Sequence, residues 1–200
     1  MESQNGQVNV GTIFITGISA SGKTTLGRNL LERLRHSGVS NIEFLDGEEV
    51  RQKMEAAGKH YGRSTADRNA VAIEIAEMAS VANRIGYVCI VCTIGHHRQT
   101  REMVRERIGR VFEVFLNCPV EVCAKRDRKG HYAKAFAGLY DNFIGVTEPY
   151  ERSEEVELIL DTDRNTIEEC SSILLNETLD FLRNSFGNSP KAKFLKEFLW

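Results

Sequence analysis

The eight residues Gly17-Ile18-Ser19-Ala20-Ser21-Gly22-Lys23-Thr24 carry the spacing G-x-x-x-x-G-K-[ST]. Glycines at those places let backbone N–H groups converge on phosphate oxygens, and a helix starting there adds the positive end of its dipole. The lysine then reaches the β and γ phosphates, and the threonine hydroxyl ligates Mg²⁺. Gly17, Ser19, Ala20, Ser21, Gly22, Lys23, Thr24 and Thr25 are therefore expected to hold ATP or GTP, with Thr24 on the metal and Lys23 acting catalytically on the phosphates.

Triphosphate binding leaves open what receives the phosphate. Transfer also needs a carboxylate beside the metal and the attacking hydroxyl, and cations that hold the acceptor and spread transition-state charge. Asp46, Glu48 and Glu49 directly follow the apolar segment 42–45, which brings them to the same sheet edge as the P-loop. Asp46 and Glu48 are the stronger catalytic candidates, the alternative for each being a solvated loop carboxylate. Arg51, Arg68 and Arg98 recur after successive strands or at helix starts, where they either converge on an anionic acceptor or remain ordinary surface arginines.

Lys125, Arg126, Arg128, Lys129 and Lys134 crowd into ten residues against a single Asp127. A charge run is usually a solvated face. Here it is interleaved with His131, Tyr132 and Phe136 and followed by Asp141-Asn142-Phe143, in a stretch with little strand or simple helix pattern. Residues 125–150 therefore read as a lid closing over nucleotide with ions and rings. His96 and His97 lie beyond an apolar strand and point into the same region. Adjacent loop histidines make a poor metal pair without further ligands, which leaves acceptor contact or plain solvent exposure. Cys89 and Cys92 form a CxxC, but within a strand, where residues three apart point to opposite faces, so core packing is expected of them.

The elements that must position these groups alternate along the chain. A β-branched strand over 8–16 gives way to the glycine-rich turn, then to a helix over 24–35 with Leu26, Leu30, Leu31 and Leu34 at helical spacing. A second strand ends at Asp46-Gly47, and a long helix over 67–84 carries Val71, Ile75, Met78 and Ala82 on one face and stops at Gly86. The run 87–94 is apolar on both faces and reads as a central parallel strand. A polar helix over 98–107, strands over 111–116 and 156–160, and a helix over 166–181 complete the pattern. The expectation is an α/β, P-loop NTPase-type three-layer fold, a mainly parallel sheet with helices on both faces and a lid, binding ligands at the strands' carboxyl ends.

With 200 residues, 42% hydrophobic and 27% charged, the chain suits one globular domain, placed at residues 1–184 with a C-terminal tail over 185–200. That tail sets Phe194, Leu195, Phe198 and Leu199 at helical spacing, so docking on its own domain or on a second copy in a homodimer are both open. A net charge of −2 argues against nucleic acid or anionic membrane as partner and favours a small-molecule ligand in a local basic pocket. The absence of a long apolar run and of a signal-peptide pattern points to the cytoplasm, as do five cysteines that fit reduced, buried thiols.

On these residues the chain resembles the adenylylsulfate kinases, over roughly residues 12–175. The marks are GISASGKTT, LDGEEVR at 45–51, the segment 64–68, the turn 93–98 and, most specific, PVEVCAKRDRKG followed by a lid ending in GVTEPYE. The resemblance implies transfer of the γ-phosphate of ATP, with Mg²⁺, to the ribose 3′-hydroxyl of adenylylsulfate. By position it implies Arg126 near the ATP base and Arg51, Arg68, Arg98, Lys129 and Phe143 on the nucleotide acceptor. Glu48 stands where the family has an aspartate linked to metal and hydroxyl activation, and its extra methylene shifts the charge.

Departures from the family pattern cluster on the acceptor side. Its GFS motif, whose phenylalanine stacks on the acceptor adenine, is Gly62-Arg63-Ser64, and arginine stacks but adds charge. An asparagine that helps read the adenine is replaced by Val71, and the ISPYR turn becomes Ile94-Gly95-His96-His97-Arg98. Three readings result: an adenylylsulfate kinase, a kinase of the same family acting on another activated nucleotide such as CDP-phosphoramidate, or an ATP-binding regulatory module without turnover.

Overall fold

The computed structural model describes residues 9–62, 64–152 and 156–184. Among these, β1 (Thr12–Thr16), β2 (Ile42–Asp46), β3 (Val88–Cys92), β4 (Val111–Asn117) and β5 (Leu158–Asp161) form one parallel sheet in the order β2-β3-β1-β4-β5. β3 is an interior strand, while the central place belongs to β1. Side-chain alternation assigns the two faces. Ile13 and Ile15 of β1 pack with Leu26, Leu30 and Leu34 of α1 (Lys23–His36) and Leu174 of α7 (Ile167–Arg183). Phe14 packs the opposite way, with Val71 and Ile75 of α3 (Thr65–Arg84) and Val104 of α4 (Arg98–Ile108). Two helical layers therefore cover the sheet, which is why its strands read as unbroken apolar runs. On β3 the same alternation sends Cys92 to the α1 side and Cys89 to the α3 side, so the CxxC is core, as its strand placement requires.

Register sets the site. Ile15 pairs with Cys92 and Cys92 is opposite Asp46, so the ends of β1, β3 and β2 are level. The chain leaves β1 toward β2 and leaves β3 toward β4, on the other side of β1. That divergence opens a crevice at the carboxyl ends of β1 and β3.

The structure adds a helix at the place read as a loop. Residues after β2 form α2 (Gly47–Ala56), with Asp46 as its N-cap and Val50 and Met54 buried. Glu48, Glu49 and Arg51 thus project from a rigid helix. The glycine at its first position masked it, although the aspartate cap and the apolar pair four residues apart are helix signals. The long helix starts two residues earlier than expected, because Ser64 and Asp67 form a reciprocal capping box.

The lid region also holds more order than its composition suggested. α5 (Val120–Arg126) leads into it and α6 (His131–Phe136) lies inside it. Tyr132, Ala135, Phe143 and Ile144 form a small core with Cys118, Cys123 and Ile18 of the P-loop. The tail over 185–200 lies outside the described residues. Among those described, no helix is long and apolar enough to cross a membrane.

Gly27 marks the tightest approach of α1 to the sheet: a Cβ there would sit 2.6 Å from Cys92 Sγ and 3.0 Å from the Phe44 ring. Overpacking of this kind costs ~1–3 kcal/mol, whereas replacing a helical glycine by alanine recovers about 1 kcal/mol. Gly27→Ala is expected to destabilise the chain by about 1 kcal/mol in urea unfolding. The Gly27→Ala, Cys92→Ala double variant should lose less than the sum of the singles, and strict additivity would refute the contact.

Candidate active site

The loop between β1 and α1 is shaped for close approach. Gly17 has φ +138°, and a Cβ on it would meet the Leu116 carbonyl oxygen at 2.8 Å. Gly22, at φ +107°, is the N-cap of α1 and leaves the first-turn N–H groups without a side-chain cap. Those donors face the place an anion would take. Lys23 folds back over the loop, its Nζ donating to the carbonyl oxygens of Gly17 at 2.9 Å and Ile18 at 2.7 Å. Burial lowers its ammonium to a pKa of about 8. A half-buried cation whose side-chain hydrogen bonds go to carbonyl oxygens is a site matched to an incoming phosphate.

Asp46 is held from both sides. Its Oδ2 accepts from the Thr24 hydroxyl at 2.6 Å, while its Oδ1 accepts the N–H groups of Glu48 at 2.9 Å and Glu49 at 3.4 Å. Helix cap and P-loop helix thus fix one carboxylate at the end of β2. Glu48, one residue into α2, has a different environment: its carboxylate ion-pairs with Lys129 of the lid, and both side chains are more than half exposed. Exposed pairs of this type contribute at most about 1 kcal/mol, so this latch opens easily.

These groups face a cavity of about 470 Å³, within the size range of small-molecule sites. Ser19, Ala20, Lys23, Thr24, Asp46 and Glu48 line it, together with Arg51, Arg68, His96, Lys129 and Phe143. Arg51 donates to the carbonyl oxygens of Tyr61 at 3.0 Å and Gly62 at 2.6 Å, and Arg68 donates to the Asn142 carbonyl. Phe143 is held by Tyr132, edge-on at 4.8 Å between centroids, and by Tyr140, parallel at 5.9 Å. Val71, Ala72 and Ile75 make an apolar wall from α3, relieved by Asn69, whose Oδ1 accepts from Thr100 at 2.6 Å.

Arg126 also lines this space and donates to the Thr162 carbonyl at 2.7 Å, while the Thr162 hydroxyl donates to the Ser21 carbonyl at 3.0 Å. The Tyr132 hydroxyl donates to the Ser19 carbonyl at 2.8 Å, which fastens lid to P-loop. A buried arginine anchors the lid's other end. Arg101, 2% exposed, donates to the carbonyl oxygens of Gly95 at 2.5 Å and Glu151 at 2.8 Å and lies 3.3 Å from the buried Glu113 carboxylate.

Not every expected residue reaches the cavity. Gly17, Ser21 and Gly22 shape the loop from behind, and Thr25 is exposed on α1. His97 turns away to Glu148, at 3.5 Å, and Glu151, at 3.3 Å, and Arg98 starts α4 with its backbone N–H on Glu151 at 2.7 Å. His96 is buried, not solvent-exposed, and lies 3.1 Å from Glu148. Burial lowers its pKa and leaves a neutral ring near pH 7. Arg63 lies outside the described residues. Asn69, Thr100, Tyr132, Glu148 and Thr162 were not singled out as site residues from sequence. Glu148 and Tyr132 stood within motif and lid, but the other three gain meaning only from partners on distant elements.

The sequence profile of a family described as adenylylsulphate kinase matches residues 9–161. An adenylyl-sulfate kinase of Synechococcus sp. (strain JA-3-3Ab) is 40% identical over 164 residues, covering 82% of this chain and 91% of that protein. One from Halothermothrix orenii is 37% identical over 161 residues, or 80% and 85% of the two chains. Among solved structures, the Mycobacterium tuberculosis APS kinase in complex with AMPPNP and APS superposes with a TM-score of 0.76 at 30% identity, covering 88% of this chain and 99% of that one.

The low Lys23 pKa has a measurable consequence. The folded chain binds this proton more weakly than the unfolded chain, so the charged lysine destabilises fully below pH 8 and progressively less as pH rises from about 8 toward 10.5. Lys23→Met is expected to raise stability in the absence of nucleotide by about 1 kcal/mol at pH 7. Urea unfolding of both chains at several pH values should show that gap narrowing across the window. A constant gap would contradict the buried-charge account.

Proposed function

The chain belongs to the adenylylsulphate kinase family, and from that membership we propose that it transfers the γ-phosphate of ATP to the ribose 3′-hydroxyl of adenylylsulfate. It is an ATP-dependent phosphotransferase with an alcohol group as acceptor. The observation that carries the reading is one cavity lined both by the P-loop lysine with two carboxylates and by Arg51, Arg68, Lys129 and Phe143.

ATP phosphates take the place that Lys23 now fills with its own loop carbonyls, and Arg126 lies toward the base. The Thr24 hydroxyl and Asp46 carboxylate, 2.6 Å apart, are oxygen donors that suit Mg²⁺, and they are the residues that would hold it. Bound with ATP, this ion neutralises phosphate charge. On the acceptor side Arg51, Arg68 and Lys129 supply charge for the anionic groups, and Phe143 supplies a ring face for the base. His96 and, through Glu151, His97 and Arg98 shape the adjoining turn. Asp46 has both oxygens committed, whereas the partner of Glu48 is an exposed lysine. We therefore assign Glu48 to orient the attacking hydroxyl and accept its proton, and Asp46 to hold the metal side.

A second reading, another activated nucleotide such as CDP-phosphoramidate as acceptor, is favoured by one feature. Val71, at the family's asparagine position, sits on the apolar cavity wall and offers an acceptor base no side-chain hydrogen bond. Five free, buried thiols support a reducing compartment, the cytoplasm. A homodimer is supported by Met78, Val81 and Ile85, apolar and exposed at the end of α3.

ADP release with Mg²⁺ and ATP is to be followed across acceptors that include adenylylsulfate and CDP-phosphoramidate. Turnover with adenylylsulfate is expected, and turnover confined to a non-adenine acceptor would replace the first reading by the second. Glu48→Gln should lower kcat by about 10²-fold or more with little change in the KM for ATP. Arg63→Phe should lower the KM for adenylylsulfate if that position stacks on the base, and an unchanged KM would count against stacking.

A further inference from the structure

Among the described residues, one group of three His, Cys, Asp or Glu side chains brings its ligand atoms within 4.8 Å of one another: His96, His97 and Glu148. The two histidines come from the turn after β3 and the glutamate from the end of the lid. We propose that these three side chains form a binding site for one first-row divalent transition-metal ion, with Zn²⁺ the best fit, that clips the lid's end to this turn.

The spacing is that of ligands around such an ion. Glu148 Oε1 lies 3.1 Å from His96 Nε2 and 3.5 Å from His97 Nε2. Tetrahedral coordination at bond lengths of about 2.0–2.1 Å separates neighbouring ligand atoms by about 3.3 Å. Surrounding contacts already orient the donors. His97 Nδ1 faces the Glu151 carboxylate at 3.3 Å, a contact that holds the ring with its Nε2 toward Glu148 Oε1. The Thr65 hydroxyl donates to Glu148 Oε1 at 3.0 Å, while the buried Oε2 has no hydrogen-bond partner. Carboxylates and hydroxyls behind the ligands are the usual supports of a metal site.

Two imidazoles and one carboxylate select a borderline metal over Mg²⁺, which prefers oxygen alone. Three protein ligands leave a fourth coordination position open. The charge of Arg68, felt by both His96 and Glu148, opposes a dication and moderates affinity.

The test titrates the full chain, without an affinity tag and stripped by chelator, with Co²⁺ in saturating Mg²⁺, then displaces it with Zn²⁺. One equivalent is expected, with the visible absorption of a four-coordinate nitrogen and oxygen site and no thiolate charge-transfer band. His97→Ala and Glu148→Gln should each weaken binding about tenfold or more, and Thr65→Val less. Absence of stoichiometric uptake overturns the proposal. So does a thiolate band, which puts the ion on cysteines, or uptake unchanged in both variants, which puts it away from these side chains. Melting curves in chelator verify folding of each variant, and Glu148→Asp, which keeps the charge but retracts the ligand, gives an independent reading of the same loss.

Discussion

Parallel pairing sets Ile15 opposite Cys92 and Cys92 opposite Asp46, so the P-loop and Asp46 leave the sheet at one height. They are two strand spacings apart, about 10 Å. The first turn of α1 spans that gap, and the hydrogen bond from Thr24 to Asp46 closes it. A slip of one residue in either pairing would turn Asp46 to the opposite face, and both its bond to Thr24 and the cap of α2 would be lost together. The same aspartate thus ends a strand, starts a helix and completes the phosphate site. That coupling leaves it little freedom, and it leaves Glu48, two residues further on, as the carboxylate able to move.

The lid joins the rest of the molecule through contacts of unequal strength. At its first half, Tyr132 is buried against Ile18 and bonded to Ser19, so lid and P-loop share a core. At its far end, buried Arg101 ties the chain at Glu151 to the turn at Gly95 and stands beside Glu113. Removing one member of such a buried group strands a charge, which is far costlier than losing an exposed pair. Between these anchors, Lys129 meets Glu48 in solvent. Rearrangement on ligand entry is therefore cheapest at Lys129, a lid cation on the cavity wall.

The proposed triphosphate and acceptor sites in that cavity follow different rules. The first is built largely from backbone groups and one lysine, whose geometry tolerates few alternatives. The second is built from side chains on α2, α3 and the lid. Val71 and His96 line the cavity there, and there the family pattern changes while the fold stays whole.

By itself the sequence determined the order of the five strands and of the four long helices, the phosphate loop and the family, because all of these rest on local periodicity or on contiguous motifs. It also located Asp46, Glu48, Arg51, Arg68, Lys129 and Phe143, which the fold gathers around one space. Tertiary structure decided what spacing along the chain does not contain. Whether a side chain faces the cavity or the surface depends on packing, and so His97 turned to Glu151 instead, beside an exposed Arg98 that does not line the cavity. Helix α2 emerged because Asp46 caps it and Val50 and Met54 are buried, outweighing the glycine at its start. Glu148 meets His96 across 52 residues, a pairing created when the lid folds back over the sheet and legible only once those two segments share a surface.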